Sequence, residues 1–84
     1  MKYYKKYFGK DLELIRVEEE YGKDDYYGTI IVAHDNEIKF EKQCTIIEDD
    51  INNDCEGYGI KIVEITEREY NIIESKLRLL QHEI

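Results

Sequence analysis

No run of apolar residues in this sequence is long enough to cross a membrane. The longest aliphatic stretch is Ile30-Ile31-Val32-Ala33, far short of a bilayer span. The first twenty residues hold no apolar core that could serve as a signal peptide. A soluble, cytoplasmic protein with no membrane partner is therefore expected. Cysteine is scarce, with Cys44 and Cys55 alone. In a reducing compartment these two read as free thiols rather than a bridge. At 84 residues the chain makes one domain, 1–84, with a small core. It has no room for two lobes with a cleft between them, and it carries no internal repeat and no low-complexity linker.

The motifs that usually carry chemistry are missing. No C-x-x-C or H-x-x-x-H pattern occurs; Cys44, Cys55, His34 and His82 are scattered, which argues against structural zinc. Asp50, Asn52 and Asp54 have the one-three-five spacing of a calcium loop. That loop also needs Gly at its sixth position and Glu at its twelfth, where this chain has Cys55 and Lys61. No Gly-rich phosphate cradle is present; Gly57-Tyr58-Gly59 only loosens the approach to a strand. Cys55 sits among acids that disfavour its thiolate. Cys44 reads as a small core residue, and His34 as a surface hydrogen-bonder. With no nucleophile, base or cofactor motif standing out, the expectation is no enzyme, no catalytic residue, no metal and no cofactor.

What the chain has is acid, and the acid is clustered. Net charge is −8. Residues 1–10 carry four lysines and no acid. Glu18, Glu19 and Glu20, followed by Asp24 and Asp25, form one acidic cluster. Glu48, Asp49 and Asp50 with Asp54 and Glu56 form a second, with no base among them. Such a protein is repelled by nucleic acid and attracted to basic proteins. Along a strand, same-face side chains recur every ~6.6 Å. A row of carboxylates at that interval imitates a nucleic-acid backbone. The plainer account is that the charge keeps a small domain in solution.

The hydrophobic pattern points to an α+β domain. Thr66-Glu67-Arg68-Glu69 is a capping box, with Ile65 and Tyr70 placed as a hydrophobic staple. Tyr70, Ile73, Leu77, Leu80 and Ile84 recur at threes and fours, which predicts a helix over 67–82. Glu74 and Arg78 stand one turn apart in the favourable order. Ile72 and Leu79 widen the apolar face, either because the helix lies across a sheet or because it meets a second copy in a homodimer. Strands are expected at roughly 11–19, 26–34, 37–44 and 58–65, with a tight turn at Asp35-Asn36. In the third of these, alternation sets Ile38, Phe40 and Cys44 on one side. Residues 2–8 fit a short helix, with tyrosines on one side and lysines on the other. The architecture expected is an antiparallel sheet of about four strands with the C-terminal helix packed on it.

Eight tyrosines need places. Tyr70 reads as core. Tyr26, Tyr27 and Tyr58 suit half-buried sheet positions. Tyr3, Tyr4, Tyr7 and Tyr21 read as exposed, where tyrosine favours interfaces. The Lys/Tyr N-terminus also suits stacking on bases or a nucleotide.

Proline and tryptophan are absent and alanine occurs once. Isoleucine, lysine, asparagine and tyrosine, with A/T-rich codons, take their place, which suits an A/T-rich bacterium or its phage. In size, charge and codon bias the chain resembles the small acidic inhibitors that phages carry against CRISPR or restriction defences. The likeness carries no residues over. It implies a non-catalytic binding module, an anti-CRISPR or anti-restriction inhibitor, that occupies the nucleic-acid site of a basic partner. The residues expected to bind that partner are Glu18, Glu19, Glu20, Tyr21, Asp24, Asp25, Glu48, Asp49, Asp50, Asp54 and Glu56. The alternatives are a homo-oligomer binding a small ligand or nucleotide between subunits, and an accessory domain with no specific site.

Overall fold

The computed structural model describes residues 1–22, 25–47, 51 and 59–81. Five strands form one antiparallel sheet: β1 (Lys2–Phe8), β2 (Asp11–Glu20), β3 (Asp25–His34), β4 (Glu37–Ile47) and β5 (Lys61–Ile65). They lie in the order β4-β3-β2-β1-β5. A helix, α1 (Glu67–Gln81), follows β5. The α+β class and the C-terminal helix agree with the sequence pattern. No helix among the described residues is long and apolar enough to cross a membrane.

The N-terminal segment departs from expectation: 2–8 is a strand, so the sheet has five strands rather than four. The tyrosines decide this. As a strand, β1 sends Tyr3 into one core and Tyr4 into another, each 8% exposed. A seven-residue helix would set both on one side of a single turn or two, with no packing for them. Tyr and Phe also suit a pleated, half-buried surface. Every residue of β1 pairs with β2, from Lys2 opposite Val17 to Phe8 opposite Asp11. The two-residue turn between them, Gly9-Lys10, needs a positive φ at its first position, and Gly9 supplies 56°. The reading of Tyr3 and Tyr4 as exposed therefore fails. Tyr7 is half-buried and Tyr21 is exposed.

The other strands run longer or shorter than the pattern suggested. β2 extends to Glu20, β3 begins at Asp25 and β4 reaches Ile47. β5 begins at Lys61, and Tyr58 lies outside the described residues. Asp35 and Asn36 both take positive φ, 51° and 66°, the twist that suits a two-residue hairpin.

Two bulges change which face side chains meet. The β2–β3 register slips at Glu18, and the β3–β4 register slips at Lys39. The second slip separates Ile38 from Phe40. Ile38 packs beneath α1, while Phe40 pairs with Val32 on the opposite face. Simple alternation had put them together; a bulge inserts one unpaired residue and inverts the alternation beyond it.

Both sheet faces are covered, at least in part. On one, Tyr3, Leu14, Ile31, Ala33 and Ile65 pack against Tyr70 and Leu77 of α1. On the other, Tyr4, Ile15, Val17, Ile30 and Ile46 pack with Ile51, from the segment that joins β4 to β5. Cys44 is half-buried at the margin of this second core.

The capping box forms as the sequence predicts. The Glu69 amide donates to Thr66 Oγ1 at 3.1 Å, and the Thr66 amide faces the Glu69 carboxylate at 3.5 Å. Ile65 and Tyr70 are buried in the same core, completing the staple. Arg78 bonds Glu74 one turn back and reaches Glu41 on β4 at 2.9 Å, so the helix end is tied to the edge strand. Ile72, Leu79 and Leu80 are exposed. Leu80 lies on the expected core stripe yet is 46% exposed. His82 and Ile84 lie outside the described residues.

Candidate partner-binding surface

The first acidic cluster sits at one end of the sheet. Glu18, Glu19 and Glu20 close β2, and Asp25 opens β3. The turn between them is held by the Tyr21 amide donating to the Asp25 carbonyl at 2.8 Å. Ile47, the residue before Glu48, pairs with Asp25. The end of β4 that leads to the second cluster therefore lies beside the first. Asp24, Glu48, Asp49, Asp50, Asp54 and Glu56 lie outside the described residues, as do Asn52 and Cys55 of the calcium-like spacing.

The bulge at Glu18 shapes what this end presents. Unbroken alternation would set Glu18 and Glu20 on one face and Glu19 on the other. Glu18 keeps the α1 face, where Arg16 Nη2 holds it at 2.9 Å and the Thr29 hydroxyl stands 3.5 Å away, and the slip exchanges the faces of the two residues after it. Glu19 pairs with Tyr27 on that same face, and Glu20 pairs with Tyr26 on the other. The acids thus wrap the rim of the sheet. A straight same-face row along β2 does not form.

Their charges are unequally compensated. Glu18 is neutralised by Arg16. Glu19 accepts the Tyr21 hydroxyl, and this bond to a carboxylate raises the Tyr21 pKa above its ordinary value. Among the described residues neither Glu19, Glu20 nor Asp25 has an ion-pair partner, and all three are exposed. Tyr21 is 62% exposed and stands edge-on to Tyr27, with ring centres 6.3 Å apart. The end of the sheet is therefore an anionic rim with an aromatic pair set into it.

Sequence reasoning missed Arg16, Thr29 and Tyr27. The i, i+2 spacing of Arg16 and Glu18 on a strand could have found the first. Thr29 and Tyr27 emerge only once the β2–β3 register is known.

Other groups that could do chemistry are set apart or suppressed. Tyr70 is fully buried, and burial, reinforced by the Glu74 carboxylate, pushes its phenol up to about 12. It stays protonated at neutral pH. Cys44 pairs with Gly28 and His34 with Glu37, towards opposite ends of the β3–β4 ladder. His34 bonds Asp11 at the surface, as expected of a residue beside a turn. Among the described residues no group of three or more His, Cys, Asp or Glu is placed to hold a metal ion.

Comparison with known proteins finds no match: no family model fits the sequence, no curated protein aligns with it, and no solved structure matches it.

Proposed function

We propose that the protein is a non-catalytic acidic binding module whose anionic rim docks into the nucleic-acid site of a basic partner. The observation that carries this reading is the group of exposed carboxylates, Glu19, Glu20 and Asp25, which make no ion pair among the described residues at one end of the sheet. Tyr21 supplies a hydrophobic anchor beside them. Carboxylates that wrap a rim suit a groove lined with Lys and Arg better than they suit a flat surface. Such an interface gains speed and selectivity from long-range attraction and weakens with salt. In this reading the protein acts in the bacterial cytoplasm as a phage-type inhibitor of a CRISPR or restriction protein, in place of nucleic acid.

The test is a tagged pull-down from bacterial lysate, washed at low and high salt, with wild type beside Glu19→Gln/Glu20→Gln/Asp25→Asn. The expected result is a nucleic-acid-binding protein that wild type retains, salt or competing DNA removes, and the variant fails to capture. Equal capture by both proteins would overturn the reading.

A second reading, a homodimer through α1, draws on the exposure of Ile72, Leu79 and Leu80. Light scattering at the monomer mass across a wide concentration range would remove it. The burial of Tyr3 and Tyr4 takes away the aromatic tip on which nucleotide stacking relied.

A further inference from the structure

The sheet face opposite α1 is closed at the acidic end by the core that includes Ile51. Towards the Gly9-Lys10 and Asp35-Asn36 turns it opens into a trough. Its floor follows from the strand register. Lys6, Glu13, Val32 and Phe40 form one row straight across β1, β2, β3 and β4. Tyr4, Ile15, Ile30 and Lys42 form the next row towards the core. Two hollows share Lys6, Glu13 and Val32. One, about 170 Å³, is bounded by Ile15, Ile30, Phe40 and Lys42. The other, about 390 Å³, reaches Phe8, Asp11 and Ile60. In volume alone the smaller matches an enclosed apolar cavity of about 150 Å³ that takes up benzene; it is itself open and lined in part by Lys6, Glu13 and Lys42. Phe40 in the wall of the smaller hollow and Phe8 in that of the larger are 50% and 49% exposed, aromatic surface that a ligand would remove from water.

The charges around the trough do not cancel evenly. Lys6 lies 3.7 Å from Glu13, and Asp11 is bonded to His34. Lys42 has no anionic partner among the described residues; its ammonium stands over the Phe40 ring, 5.7 Å from the centre. The trough thus combines apolar side chains (Ile15, Ile30 and Val32) beside the Lys6–Glu13 pair, an exposed ring at Phe40 and, among the described residues, one cation without an anionic partner, Lys42.

We infer that this trough is a binding site for a small aromatic carboxylic acid, its ring against Val32 and Phe40 and its carboxylate on Lys42. A polyanion such as nucleic acid would meet Glu13 and Asp11 with, among the described residues, only Lys42 of the trough lacking an anionic partner, on a protein of net charge −8. A neutral apolar molecule would leave Lys42 unused. A single carboxylate matches Lys42, the one cation of the trough without an anionic partner among the described residues. The site lies on a different part of the sheet from the anionic rim and does not depend on the partner proposed above.

The test titrates isotope-labelled protein with naphthoate, and in parallel with the uncharged naphthalenemethanol, followed by NMR. Saturating shifts are expected at Val32, Phe40 and Lys42, with naphthoate favoured roughly tenfold, the scale of one charge-assisted contact. Lys42→Gln should abolish that preference and leave naphthalenemethanol binding unchanged. Phe40→Ala should weaken both ligands. Both residues are exposed on an edge strand, so both variants keep the fold, which their amide spectra verify. No saturating shifts in the trough, or an unchanged preference in Lys42→Gln, would overturn the inference.

Discussion

The Arg16 guanidinium stands over the ring of Tyr70, 5.9 Å from its centre. This contact joins β2 to α1 across the sheet–helix seam, and the same guanidinium holds Glu18 at the acidic rim. The tyrosine beneath it has a buried hydroxyl with no hydrogen-bond partner among the described residues.

Tyr70 therefore gives the protein an alkaline limit. Its phenol is pushed up to about 12 in the folded state, against about 10 when unfolded. The folded state holds the proton more tightly. The associated stability is fully present below pH ~10 and is lost as pH rises towards ~12, at roughly 1.4 kcal/mol per pKa unit. Urea denaturation across that range should show a fall of roughly 2–3 kcal/mol. In Tyr70→Phe this fall should shrink, and neutral-pH stability should change by less than about 1 kcal/mol, because the lost hydroxyl makes no well-formed hydrogen bond among the described residues. A steep loss at neutral pH would show that the hydroxyl is bonded.

The helix cap is a separate, local contribution. Thr66→Ala removes the acceptor for the Glu69 amide and should cost about 1 kcal/mol in thermal or urea unfolding. Thr66→Ser keeps the oxygen and should recover most of it. Equal losses in both variants would assign the effect to the threonine methyl instead.

The acidic rim should behave differently from both. Glu19, Glu20 and Asp25 make no ion pairs among the described residues, so Glu19→Gln/Glu20→Gln/Asp25→Asn should leave stability within about 0.5 kcal/mol or raise it slightly. Calorimetry at low salt is the sensitive measurement. A marked loss would mean that these acids support the fold and are not simply available to a partner.

Gly28 is the most demanding position in the sheet. It lies opposite the bulge, and a Cβ there would come within 1.9 Å of the Arg16 carbonyl oxygen. Backbone cannot yield as a side-chain tip does, so Gly28→Ala should cost about 3 kcal/mol or more. Circular dichroism and the urea midpoint would report it. A near-neutral effect would mean that the bulge is free to slide, taking Glu18 and its bond to Arg16 with it.

Helix 67–81 was legible because its capping box, staple and stripe are local and agree with one another. The Asp35-Asn36 hairpin was legible for the same reason. The N-terminal strand was not. Tyr3, Tyr4, Tyr7 and Phe8 suit a helical face and an alternating strand alike, and the pairing of β1 between β2 and β5 settles it. Bulges at Glu18 and Lys39 have no clear local signature, yet they decide which acids share a face and where Phe40 points. The acidic content of the candidate site could be read directly. Its shape as a rim, and the neutralisation of Glu18 by Arg16, required the register.

The order β4-β3-β2-β1-β5 also sets a timetable. The first four strands form a meander of neighbouring hairpins that can assemble from nearby contacts. β5 must instead find β1 from the far part of the chain, with pairs such as Lys6 and Ile62, and only then can α1 reach its face of the sheet. Closing so long a loop is entropically slow, and local pairing precedes it. The meander is thus expected to form early with both faces incompletely covered, and the arrival of β5 and α1 to limit the folding rate. A slowing mutation in β5 or α1 would then act on the last act of folding, after the acidic rim has already been built.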